Sequence, residues 1–189
     1  MNNDSKLFLI LLSIGLISCS GRPTHYTIDP EVSFNQSNKV ENKTAMVEVI
    51  PPASQVNSDQ GKLSLNADND FAKSVKQGLI DGLIKSGYKI SSNKHFSDVV
   101  IRLNFSEFSV VIEPSAVSDE IIVKGNLAVE LTRKPKTFRK TFSRSQQLIV
   151  VGQANDSEVT GLTNDVVGKL LATALTDDSV QDFISQNMQ

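Results

Sequence analysis

The chain has 189 residues, 39% of them hydrophobic, and sets 19 Lys and Arg against 21 Asp and Glu for a net charge of -2. A balance so near neutral, with no basic stripe interleaved with aromatics, argues against nucleic-acid binding, and the absence of tryptophan leaves little to stack on sugar rings. A single cysteine excludes an internal disulfide framework, so one domain of this length must fold on its apolar core alone.

The first element is the apolar run Leu7 to Leu16. Its length of about ten residues suits a signal-peptide core and is roughly half of what crosses a bilayer. The preceding flank carries Lys6, partly offset by Asp4, and the run leads into Leu16-Ile17-Ser18-Cys19 followed by Ser20. Leucine three residues before a cysteine, with an aliphatic and a small residue between, resembles the bacterial lipobox. That resemblance implies cleavage before Cys19 and acylation of its sulfur and new amine by three chains, enough for stable anchoring where one chain is not. Ser20, in place of a retaining aspartate, implies delivery to the periplasmic leaflet of the outer membrane. Residues 1–18 are expected as signal peptide, 19–26 as a lipidated tether and 27–189 as a single periplasmic domain.

Thr27-Ile28 and Val32-Ser33-Phe34, on either side of Pro30, are expected as edge-strand pieces, and the aperiodic, Asn-rich stretch Asn35 to Lys43 as loop. Ala45 to Ile50 reads as the first firm strand, stopped by Pro51-Pro52, which lack ladder donors. Ser54 to Leu65 reads as an irregular crossover. Asp68 or Asp70 then caps a helix whose apolar stripe is Phe71, Val75, Leu79 and Leu83, joined by Ile80 and Ile84. Gly78 and Gly82 beside the stripe each cost about 1 kcal/mol relative to alanine unless something packs closely, and a close approach to the sheet is expected. Ser86-Gly87-Tyr88 ends the helix, with Gly87 left-handed and Tyr88 folding back as the apolar contact.

A short strand at Tyr88 to Ile90 precedes three longer ones of period two. Val99, Ile101, Leu103 and Phe105 share a face, and Phe108, Val110 and Ile112 resume it after a one-residue offset that predicts a bulge near Ser106. Ile121, Val123, Gly125, Leu127, Val129 and Leu131 repeat the alternation, and the basic turn Arg133-Lys134-Pro135-Lys136 leads to Phe138, Phe142 and Leu148 to Val151. Arg102, Asn104, Lys124, Asn126, Glu130 and Arg139 make the opposite face wet. A second helix carries Val166, Val167, Leu170, Leu171, Ala174 and Leu175, and Asp178 opens a short third one, with Gln181 as its capping-box partner and Val180, Phe183 and Ile184 inward. The predicted fold class is α+β: an antiparallel meander of about four or five strands, with two main helices and a short C-terminal helix packed on one face.

Chemical motifs are scarce. His25 and His95 are too few and too far apart for a zinc site. Asp68-Asn69-Asp70 begins like a calcium loop, but its sixth position is Lys73 and its twelfth Leu79, where glycine and glutamate are needed. No nucleophile elbow, phosphate-cradling loop or metalloprotease segment occurs, so neither a catalytic nor a cofactor site is expected. Glu107, Glu113, Asp119 and Glu120 would have to gather to serve as paired acid and base; a solvated hairpin end is the simpler account. The basic turn with Arg139 and Lys140 would suit anionic headgroups or peptidoglycan carboxylates, though a soluble hairpin tip explains it as well.

Taken together, Cys19, the helix stop Gly87-Tyr88, and Ser179, Phe183, Ile184 and Asn187 in the tail resemble the YajG family of bacterial lipoproteins over nearly the whole mature chain. The resemblance implies an outer-membrane lipoprotein of uncharacterised role with no catalytic residue to carry over. The expected function is a non-enzymatic binding or assembly accessory, tied to outer-membrane lipid through Cys19 and docking on an envelope protein. The alternatives are a carrier holding a lipid or cell-wall fragment between sheet and helices, behind Leu79, Leu83, Leu127 and Val129, and an envelope hydrolase using the carboxylates near Glu107 and Glu120.

Overall fold

The period-two segment from Val99 onward is the spine of the computed structural model, which describes residues 21–33, 43–53 and 61–185. Strand β5 (Val99–Pro114) runs for 16 residues and pairs antiparallel along its whole length with β6 (Ser118–Arg133), which pairs in turn with β7 (Lys136–Val151). The register shifts between Phe105 and Glu107, the predicted bulge. One extra residue there turns both Phe105 and Phe108 inward, where each meets Phe71, at ring distances of 5.0 and 5.1 Å.

The other edge of β5 is shared by two short strands. Its first half pairs parallel with β2 (Thr44–Ile50), and beyond the bulge it pairs antiparallel with β3 (Leu63–Ala67). Strand β1 (His25–Tyr26) joins β3 and β4 (Lys89–Ile90) joins β2, both parallel. The sheet is therefore mixed, seven-stranded and curled; the predicted meander holds for β5, β6 and β7 only. Parallel pairing of β2 with β5 follows from the helix between them, which returns the chain to the same end. Strand β3 begins within the stretch Ser54 to Leu65 read as irregular crossover and runs two residues past it, and residues 54–60 of that stretch are outside the described residues.

Among the described residues three helices cover the sheet. In α1 (Phe71–Lys85), Asp70 accepts from the Lys73 amide as cap, and at the other end the Tyr88 amide bonds the Leu83 carbonyl and the Gly87 amide that of Ile84. Gly87 takes φ 94°, the left-handed value expected of a helix stop. In α2 (Asp156–Thr176), Asn155 and Glu158 form a reciprocal capping box that sequence reading overlooked. In α3 (Asp178–Ser185), the cap is Asp177 and not the predicted Asp178: Asp177 Oδ1 accepts from the Val180 amide at 3.3 Å, while Gln181 Nε2 donates to the Leu175 carbonyl and so is no capping-box partner. Lys140, at 2.7 Å, and Ser179 bond the same Asp177 carboxylate and hold its pKa down to about 2. The carbonyls of Phe183 and Ile184, at the negative end of α3, accept from Arg133 at 2.9 and 3.2 Å.

The core is continuous from sheet to helices. Leu79, Leu127 and Val129 are 0% exposed and Leu83 3%, so the space a carrier would need behind them is filled.

Candidate functional site

Cys19, with Leu16, Ile17, Ser18 and Ser20, lies outside the described residues, as does Asn187. What the structure places is the point where the chain leaving Cys19 joins the domain. Arg22 Nε and Nη2 donate to the two carboxylate oxygens of Asp119 at 2.7 and 3.0 Å, and the Ala154 amide donates to Asp119 Oδ2 at 3.0 Å. Asp119 is 0% exposed. It sits at the start of β6 on the inward face, two residues before Ile121. The Arg22 guanidinium, aided by the Ala154 amide and opposed by burial, holds the carboxyl below the ordinary aspartate value. The stretch read as tether thus contains this ion pair and, at His25–Tyr26, strand β1.

The next residues are gripped from both sides. The Ile28 amide donates to Asn69 Oδ1 at 3.0 Å, and Asn69 Nδ2 donates back to the Ile28 carbonyl at 2.8 Å. On the other side the Asp29 amide donates to Asn164 Oδ1 at 2.8 Å, and Asn164 Nδ2 to the Thr27 carbonyl at 2.9 Å. Two side-chain amides thus take the place of strand neighbours at Thr27-Ile28, where the predicted edge strand does not form; Val32-Ser33 forms no strand either, and Phe34 is outside the described residues. Two glycines make room for this strap. A Cβ on Gly168 of α2 would lie 2.5 Å from the Glu31 carbonyl oxygen, and one on Gly78 of α1 would clash equally with that of Pro30. The close approach expected at Gly78 is therefore to the strap and not to the sheet. Asn164→Ala should cost about 1–2 kcal/mol, because two backbone groups of the strap lose their partner; the urea midpoint of the full chain measures it.

Of the four carboxylates only Glu113 and Glu120 come together. Asp119 faces inward, whereas Glu113 and Glu120 oppose each other on the outward face and Glu113 pairs with Lys62 at 2.6 Å. Glu107 accepts from Asn126 Nδ2 at 2.7 Å beside the bulge, six residues along β5 from Glu113. The basic turn is also divided. Arg133 and Lys140 are engaged with α3 and its cap, while Arg139 stands on the outward face opposite Glu130. There Glu48, Arg102, Glu130 and Arg139 form one charged row across four strands, with Arg102 bonded to Glu48 at 2.8 Å and to Glu130 at 3.1 Å. Of the histidines, His25 Nδ1 contacts Thr24 Oγ1 and His95 lies in a short 3-10 turn beside Phe96. No group of metal-binding side chains occurs among the described residues. The residues read as a calcium-loop start bond the strap and cap α1: Asp68 accepts from Thr27 Oγ1 at 2.8 Å, beside the roles of Asn69 and Asp70.

A cavity of about 610 Å³ lies where β2 leaves β5 and β3 joins it, lined by Tyr26, Pro51, Phe71, Phe108 and Lys124 among others. A second, of about 460 Å³, lies on the outward face by Phe96, Arg102 and Lys134. No helix among the described residues is long and apolar enough to cross a membrane.

No curated protein matches the chain. Among solved structures, protein XCC0632 from Xanthomonas campestris is 9% identical, with 81% of this chain and 93% of that one covered and a TM-score of 0.54, a likeness of fold alone. A putative neuraminyllactose-binding hemagglutinin homolog from Helicobacter pylori is 13% identical over 87% of this chain and 96% of its own, with a TM-score of 0.44. Lipoprotein GNA1162 from Neisseria meningitidis is 14% identical over 67% and 96%, with a TM-score of 0.29. The model of the family Lipoprotein_16, described as uncharacterized lipoprotein, matches residues 50–185, well over half of the chain, and the protein belongs to that family.

Proposed function

We propose that the protein is a YajG-like lipoprotein held by acylated Cys19 on the periplasmic leaflet of the outer membrane, where it acts without catalysis as a binding or assembly accessory of an envelope complex. The observation that carries this reading is Leu16-Ile17-Ser18-Cys19 directly after an apolar run too short to span a bilayer, in a chain of a lipoprotein family. Tethering would supply the mechanism. Confinement to a thin layer raises the effective concentration of the domain near membrane partners without any new contact. Two surfaces are open to such a partner: the charged row on the outward face, and the outer edge of β7, a strand that pairs only with β6 among the described residues.

Expression of the full chain in a Gram-negative host, followed by fractionation and mass measurement of the Cys19 peptide, tests this. An acylated terminus and outer-membrane location are expected, and Cys19→Ser should lower the membrane-bound share about tenfold or more while the domain stays folded, because no acyl chain then holds it. An unmodified cysteine, or a serine variant still in the membrane, overturns the reading.

A further inference from the structure

We propose that the end of the sheet formed by the β5–β6 turn and the last residues of β7 rests on the lipid surface, so that the domain stands upright and the β6–β7 turn points away from the membrane. The proposal rests on acylation of Cys19 and adds to it an orientation and a contact surface. Two independent observations support it.

The first is a length of chain. Arg22 is fixed to Asp119, which is paired with Pro114 in the last rung before the β5–β6 turn. Three peptide steps separate Cys19 from Arg22, a reach of about 10 Å at full extension. The basic turn at Lys134-Pro135 lies at the opposite end of β6, about 45 Å away at roughly 3.3 Å per residue. So short a leash brings the Asp119 end to the bilayer, and when the sheet stands on that end the basic turn is held off it.

The second is what that end displays. Val117 is 76% exposed, Ile149 64% and Val151 92%. They cluster, since Val151 pairs with Ser118, Ile149 pairs with Glu120, and the Gly152 amide bonds the Val117 carbonyl at 2.9 Å. An edge strand such as β7 is normally blunted by charge where it faces water, whereas aliphatic side chains beside an acyl anchor can enter the boundary between headgroups and hydrocarbon. Glu113 and Glu120 lie on the rung of Ile149. Their charges set the depth: Val117 and Val151 enter, and the carboxylates stay among the headgroups. Zwitterionic lipid is sufficient for such a contact.

The full chain, purified from host membranes, would be placed in phosphatidylcholine nanodiscs carrying a paramagnetic headgroup label, and its amide signals followed by NMR. Signals of residues 115–118 and 149–152 should be lost, and those of 133, 134 and 136 retained. The variant V117D/I149D/V151D, altered only at exposed positions, should keep its acyl anchor and its amide dispersion but, without the apolar contact, tilt on its leash, so that the signals of 133, 134 and 136 weaken as well. The mass of the same sample separates two kinds of failure. Acylated protein that loses the signals of 133, 134 and 136 or 94–96 instead, or none at all, overturns the orientation and leaves the lipoprotein reading standing. An unacylated Cys19 overturns both.

Discussion

Substituting alanine for both Gly78 and Gly168 is expected to lower the unfolding free energy of the full chain by about 3 kcal/mol, read from the urea midpoint at unchanged slope. Two effects oppose each other. Alanine is the better helix former and gains about 1 kcal/mol at each site. The new methyl groups, however, would meet the carbonyl oxygens of Pro30 and Glu31 well inside van der Waals contact. No rotamer change relieves a clash between Cβ and backbone, so strap and helices must move apart and disturb the amide pairs made by Asn69 and Asn164. Overpacking costs typically 1–3 kcal/mol per site, and here it falls on both sides of one segment, so the steric loss exceeds the propensity gain. A double variant as stable as the parent would show that the strap is not wedged between α1 and α2.

Asp119→Ala is expected to cost about 3 kcal/mol at neutral pH, because a fully enclosed, triply bonded carboxylate is removed and the Ala154 amide loses its acceptor. The cost should depend on pH in a stated direction. Asp119 titrates below the ordinary aspartate value in the folded chain, so its contribution is complete above the unfolded value near pH 4 and is lost as pH falls through the folded one. The gap between parent and variant in urea midpoint should therefore narrow from pH 5 downward. Asp177, held at about 2 by Lys140 and Ser179, gives the variant a remaining acid limb of its own between about pH 4 and pH 2. A gap that stays constant across that range would refute the account of Asp119 as the ionised half of a pair.

Much of the fold is legible in the order of residues. The alternation of β5 and β6, the bulge at Ser106, the stripe and stop of α1, and the apolar face of α2 are written in local periods of two and 3.6, which require no distant partner. The inward face of β6 even carries a signal for Asp119: the alternation through Ile121, Val123 and Gly125 places an acid among core positions, where it needs a partner. Nothing local, however, identifies Arg22, 97 residues away, as that partner.

Other features depend on contacts between segments far apart in the chain. Whether β2 pairs parallel or antiparallel depends on where α1 returns the chain, and β3 is illegible because five residues with one buried leucine carry little periodicity. Asn69 and Asn164 read as ordinary polar residues until the strap lies between them. The run before Cys19, the lone thiol and the one-sided apolar patterns of strands and helices are thus properties of the linear chain, since they depend on neighbours within a turn or two. The strand order and the clamps on the N-terminal segment arise only in the folded molecule. So does the end of the sheet to which Arg22 is fixed, because each of these depends on groups brought together when the chain closes.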